Sequence, residues 1–210
     1  MIEVAIECSQ GNSIALKSGS DVFGLDGLEF GRSCDSLFLP CLRKFLGAHG
    51  LDVRDVEGWT VGTGPGSFAG IRFSLAMAKG ICAAGGARIR GVESGFAIAS
   101  ASGRQGRVCV LKNARCRMLF ASVYDSGADG CRQACAPAMI NPAEPWPAWA
   151  EADVFLTPDS EIRELICSEQ IKCLETVPPA DAVHLLAADT ALWPWSEDAA
   201  VEPVYVRPPA

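Results

Sequence analysis

Metal-site spacing is missing from this chain. No two cysteines stand as C-x-x-C, and His49 and His184 are its only histidines. The ten cysteines are scattered from Cys8 to Cys173, a distribution that excludes a zinc-finger reading. Cys8, Cys82 and Cys109 fall in apolar runs, where a thiol behaves as a small hydrophobe. Lysine and arginine form no run, and the net charge is −7, so the chain is a poor stand-alone ligand for nucleic acid, whose affinity rests on cationic neutralisation. Any RNA contact is expected to depend on a partner. No apolar stretch is long enough to span a bilayer, and the opening MIEVAIECSQG has no basic leader region. A reduced, cytoplasmic protein without membrane contact is the expectation. With 49% apolar and 20% charged residues over 210 positions, the chain suits one large domain or two small lobes.

What the chain does have is glycine in one concentrated place. Residues 61–79 read VGTGPGSFAGIRFSLAMAK: a strand end, a glycine-proline-glycine turn and an abrupt helix. Gly62, Gly64, Gly66 and Gly70 permit positive φ or close backbone approach, and Pro65 marks the turn. Ser67 stands where an N-cap belongs. Free amides and the helix dipole make such a turn a candidate anion cradle for nucleotide phosphate. The loop does not match G-x-x-x-x-G-K-[ST], however, and Lys79 lies too far along the helix to serve it. A tight strand-to-helix connection without ligand explains the same residues.

Strands are expected at 2–7, 13–17 and 21–25, with 28–31 continuing the sheet; the short turns between them imply antiparallel neighbours. A helix over 35–49 carries a wide apolar stripe, with Pro40 bending it or confining its regular part. Strand 58–62 leads into the glycine turn and helix 67–84, whose polar residues reduce to Arg72 and Lys79. The rest of that helix is apolar or small, so it is either central or packed on a second chain. Further along, a strand at 87–92, a helix at 93–102 and strands at 107–112 and 116–124 repeat the theme. Then come a proline-rich 141–147, a strand at 153–156 and helices at 160–167 and 180–193. A loop over 192–203 and an edge-closing segment at 202–207 complete the pattern. Two related lobes are expected, 1–102 and an abbreviated 103–210.

These residues resemble a known family. V-A-I-E-C-S near the start, D-S-L-F-L-P-C-L-R-K-F-L at 35–46, G-T-G-P-G-S-F-A-G-I-R-F-S-L-A-M-A-K-G at 62–80 and E-P-V-Y-V-R at 202–207 are similar to the bacterial TsaB family, also called YeaZ. The likeness runs from Ile2 to Arg207, dense over 58–83 and thin over 126–200. It implies an α/β fold of the actin-like, sugar-kinase-like type, with two βββαβα lobes and mixed sheets. It also implies a non-catalytic role in making threonylcarbamoyladenosine on tRNA. In that family the subunit pairs with a TsaD-type transferase and supports a TsaE-type ATPase. It meets tRNA only through the complex and forms a homodimer when alone. The helices at 35–49 and 67–84 correspond to the family's contact surface, which points to Leu42, Phe45, Leu46, Arg72, Leu75 and Lys79. Glu7, Ser9, Gly64, Gly66 and Ser67 correspond to a degenerate phosphate loop, with at most weak affinity for ADP or ATP and no resident cofactor.

No catalytic residue or metal is expected. Glu7 stands where catalytic relatives of this fold place an aspartate, one methylene longer. The catalytic paralogue's H-x-x-x-H pair is replaced by the stretch Cys34-Asp35-Ser36-Leu37-Phe38. A thiolate beside a carboxylate gives no coherent metal preference, and Asp35 suits a helix start. Around Ser67 the G-x-S-x-G nucleophile pattern fails, and His184 reads as a half-buried helix residue. Lys112, Arg115 and Arg117 concentrate charge at one strand-to-strand turn. A solvated turn accounts for them, and so would contact with phosphate on RNA or nucleotide. A stand-alone nucleotide-dependent phosphotransferase is the alternative function.

Overall fold

The computed structural model describes residues 1–29, 34–166, 174–196 and 201–206. The chain divides into two compact units, Met1–Ser94 with Asp181–Pro203, and Gly95–Ala180 with Val204–Ala210. The expected boundary after residue 102 therefore moves, and 181–203 belongs with the first unit.

In the first unit β1 (Ile2–Glu7), β2 (Ser13–Ser18) and β3 (Asp21–Leu25) pair antiparallel, while β4 (Gly58–Gly62) and β5 (Arg88–Val92) add in parallel. The sheet order is β3-β2-β1-β4-β5. Helix α1 (Cys34–Ala48) connects β3 to β4, and α2 (Phe68–Gly85) connects β4 to β5. Alternation along the strands sends Val4, Ile6, Trp59, Val61 and Ile89 to one face, where they meet Phe38, Leu42 and Leu46 of α1 and Ile71, Leu75 and Ala78 of α2. Full burial of each large aliphatic side chain contributes about 1.5–3 kcal/mol. Pro40 lies inside α1, which continues on both sides of it instead of being confined.

The opposite face of that sheet is polar and buried. Glu3, Thr60 and Arg90 project there, and the Arg90 guanidinium bonds Glu3 Oε1 at 2.7 Å, Thr60 Oγ1 at 2.7 Å and the Ala188 carbonyl at 2.8 Å. Trp195 lies 4.7 Å from the same guanidinium and so close to Gly58 that a Cβ there would meet its ring at 2.6 Å. The returning segment covers this face. It begins with α5 (Ala182–Leu185), capped by Asp181, and ends with Ser196 exchanging backbone hydrogen bonds with Ile89. A helix expected over 180–193 is thus reduced to one turn, because the chain turns the Ala188 carbonyl toward Arg90.

The second unit holds β6 (Gly106–Arg115), β7 (Met118–Gly127), β8 (Gly130–Ile140), β9 (Val154–Thr157) and β10 (Leu174–Thr176), in the order β10-β9-β6-β7-β8. That is the same topology as the first sheet, three antiparallel strands then two parallel. The connections are abbreviated: α4 (Ala148–Glu151) has 4 residues and a 3₁₀ turn, Ser160–Glu164, has 5, against 15 and 18 in the first unit. Its core joins Cys109, Leu111, Leu119, Val123, Trp149, Phe155 and Ile162. Helix α3 (Ser94–Ala101) also falls here from Gly95 onward. Strand β8 was not anticipated, and the expected helix at 160–167 is the 3₁₀ turn as far as Glu164. Cys167 lies outside the described residues, as does Arg207; 201–206 form no strand.

Candidate functional site

The glycine turn joins β4 to α2 beside the turn that follows β1. Two of its glycines, Gly66 and Gly70, are explained by backbone against backbone. A Cβ on Gly66 would lie 2.5 Å from the Ser9 carbonyl oxygen, and one on Gly70 would run into the Cys8 carbonyl. Gly64 has φ 93°, in the left-handed region, and precedes a cis bond to Pro65. Ser67 caps α2, its hydroxyl accepting from Gly70 N–H at 3.2 Å. Its own N–H donates to the Ser9 carbonyl at 2.6 Å, and Gly64 N–H donates to Ser94 Oγ at 3.1 Å.

The five residues Glu7, Ser9, Gly64, Gly66 and Ser67 are therefore brought together around one crossing of chain. Three amides of the turn and the helix start, those of Gly64, Ser67 and Gly70, already have protein acceptors. Glu7 is 0% exposed, with its carboxylate directly over Gly62 and Oε1 accepting from Ser9 N–H at 2.5 Å. Its Oε2 and the Ser9 hydroxyl, equally enclosed, have no hydrogen-bond partner among the described residues. A buried carboxylate at this position repels an incoming phosphate while it attracts a cation or a hydrogen-bond donor. Ser94 is the residue of this cluster that sequence reasoning missed; it sits after a parallel strand end, where loop residues of α/β sheets gather.

Among the six interface candidates the structure separates two groups. Leu42, Leu46 and Leu75 are enclosed in the first unit's core and present no side chain outward, a correction to the expectation. Phe45 is half-buried and stacks edge-on against His49 at 5.1 Å. Arg72 is exposed over the Phe68 ring at 5.0 Å, and Lys79 pairs with Glu202 at 3.0 Å. Among the described residues of α1 and α2, the large apolar side chains that do face outward are Leu37 at 48%, Leu39 at 39% and Phe68 at 59% exposure. Three consecutive apolar residues, Leu37-Phe38-Leu39, cannot all face one core on a helix, and that signal was available in the sequence. The side chains of Cys34 and Asp35 lie outside the description.

His184 is half-buried as anticipated; its ring bonds Asp181 at 3.0 Å, and this bond raises its pKa above the usual imidazole value. In the second unit Trp146, Trp149 and Phe155 pack in a chain of ring contacts. The tip between β6 and β7 places Arg115, Cys116 and Arg117 at φ of 65°, 49° and 61°, the only non-glycine residues with positive φ among those described. All three side chains are exposed.

Paired sheets of matching topology, with two helices on one face of the first, define a two-lobed actin-like ATPase fold. A family model described as TsaD, tRNA N6-adenosine threonylcarbamoyltransferase, matches residues 31–152, and the chain belongs to that family. Two solved structures from Pseudomonas aeruginosa share the fold over nearly full length. One, described as an uncharacterized protein with similarity to peptidase YeaZ, superposes with a TM-score of 0.83 at 23% identity, covering 98% of this chain and 99% of that one. The other, YeaZ, gives 0.81 at 22% identity with coverage of 98% and 99%. No curated protein matches the chain. Among the described residues, no helix is long and apolar enough to cross a membrane.

Proposed function

We propose that this protein is the TsaB-type, non-catalytic partner of a TsaD-type transferase in the system that installs threonylcarbamoyl on tRNA adenosine. The observation that carries this reading is the glycine turn. Three of its amides already have acceptors in Ser9, Ser67 and Ser94, and the buried Glu7 carboxylate lies against Gly62 at its start. The turn, in this reading, serves structure in place of phosphate binding. In this reading the surface around Leu37, Leu39 and Phe68 docks the transferase, or a second copy of the chain when the transferase is absent. A TsaE-type ATPase acts on the pair, tRNA is met through the complex, and the protein works in the cytoplasm without a resident cofactor.

Sedimentation of the purified chain with a TsaD-type subunit at micromolar concentration tests the proposal. A stable complex is expected, and Phe68→Asp should weaken it at least tenfold while leaving the thermal midpoint within a few degrees. Co-sedimentation that fails for the wild-type chain overturns the reading.

A second reading rests on Glu7, whose buried Oε2 has no partner among the described residues and resembles a carboxylate awaiting a cation. It makes the chain a nucleotide-dependent phosphotransferase. ATP turnover by the isolated chain, abolished in Glu7→Gln, would select it over the scaffold.

A further inference from the structure

We infer that the β6–β7 hairpin tip is a contact for the phosphate backbone of RNA. The inference rests on the reading of the chain as part of a tRNA-modifying assembly, and it deepens that reading by giving this subunit its own RNA contact. The tip is built in a way that a merely solvated turn does not require. Hairpin turns with consecutive positive φ select Asn-Gly or Gly-Gly, because other side chains are strained there. Here three side-chain-bearing residues occupy the left-handed region in succession, and two of them are arginines.

The turn is also braced from below. Asp159 accepts from Asn113 N–H at 2.7 Å, and Asn113 Oδ1 in turn accepts from Arg115 N–H at 2.8 Å. Asp159 is itself fixed through its N–H to Thr157 Oγ1 at 3.0 Å. Two guanidinium groups thus stand on a rigid, strained support, and among the described residues neither makes a hydrogen bond or ion pair with the protein. Backbone strain held at a surface position, with charged groups left unneutralised, points toward an external partner.

Phosphate is the chemistry that fits. Each guanidinium fork matches two oxygens of a phosphate, and two residues apart the Cα atoms are at most about 7 Å distant, so both forks can grip one stretch of strand. An acidic protein would need carboxylates arranged against a tip of three residues; an RNA strand offers phosphates at every step. Contacts of this kind position a nucleic acid without reading its sequence, and a chain of net charge −7 limits them to weak, salt-sensitive binding.

The test compares the full chain with Arg115→Gln/Arg117→Gln, and with Arg43→Gln/Arg54→Gln as a charge-matched control on exposed arginines of the first unit. Fluorescence anisotropy of a labelled RNA stem-loop is recorded between about 50 and 200 mM KCl, alone and with the TsaD-type subunit. Loss of two phosphate contacts should flatten the salt slope by about 1.4 to 1.8, so that the wild type loses about seven- to twelvefold more affinity over that range than the tip variant. The control should behave as wild type. Equal losses in both variants, or no loss in the tip variant, would overturn the inference, and so would absence of RNA binding by wild type in either setting. A tip variant that loses the transferase subunit but keeps RNA affinity would reassign the tip to an acidic protein surface. Sedimentation with that subunit is read separately and judges the proposed function by itself.

Discussion

Replacing Arg90 with methionine removes a buried cation that ties three strands and the returning segment together. Glu3 and Arg90 have side chains only 3% and 2% exposed, and their shortest separation is 2.7 Å. In Arg90→Met the Glu3 carboxylate stays buried with the Thr60 hydroxyl as its recorded donor, and the Ala188 carbonyl loses the guanidinium. Removing one partner of a buried ion pair costs about 3–5 kcal/mol. The lost stacking on Trp195 adds on the order of 1 kcal/mol. Against a typical stability of about 5–15 kcal/mol, this loss leaves a marginal fold. Urea unfolding followed by tryptophan fluorescence measures the loss, and limited proteolysis should show new cleavage near residues 186–196. The double variant Glu3→Leu/Arg90→Met should recover most of the deficit, because an ion pair exchanged for apolar residues is often neutral or better. A single-variant cost below about 1 kcal/mol, or a double variant no better than the single, would refute the reasoning.

Gly70→Ala should destabilise by about 1–3 kcal/mol or more, since the new methyl meets the Cys8 carbonyl, which is backbone and cannot step aside. Gly80→Ala in the same helix meets nothing within 4 Å and should stabilise by about 0.5–1 kcal/mol; chemical denaturation compares the two. Cys116→Gly should relieve left-handed strain and raise stability by about 1 kcal/mol, seen as a higher thermal midpoint, while both arginines remain. Through its bond to Asp181, the His184 pKa is raised on folding. Its contribution to stability is therefore full below the unfolded value of about 6.5 and is lost as pH rises through the higher folded value. Asp181, lowered overall by the His184 bonds despite opposing burial, contributes above about pH 3.9 and loses that contribution as pH falls through its depressed folded value. Asp181→Asn should flatten both limbs of a stability–pH profile, by well under 1 kcal/mol because the pair is partly solvated.

Much of the first unit was legible because its elements obey simple periods. Strands β1, β3 and β4 fall where alternation and turn residues put them, and α2 begins at Phe68 with Ser67 as its cap, as capping chemistry requires. The second unit was harder. Strand β8 reads G-C-R-Q-A-C-A-P-A-M-I, with few β-branched or aromatic residues, and is a strand because β7 supplies its pairing. The reach of 181–196 back to the first sheet depends on contacts about a hundred residues away in sequence, such as Arg90 to Ala188, which no local pattern encodes. At the glycine turn the sequence identified the right residues and left two explanations open. Gly66 and Gly70 are required by the carbonyls of Ser9 and Cys8, a contact between segments that only the folded chain reveals. The interface candidates failed where a helical stripe was taken as outward: Leu42, Leu46 and Leu75 share their faces with the core.

That long reach has a bearing on how the polypeptide is made. The first unit cannot finish when its opening 94 residues leave the ribosome, since Asp181–Pro203 belongs to it. Until that late stretch emerges, the hydrophilic side of the sheet, with Glu3 and Arg90 already facing each other, stays wet and unroofed. A nascent chain halted midway should therefore be readily digested, and one lacking its last thirty residues should never reach full stability, however sound its sequence upstream.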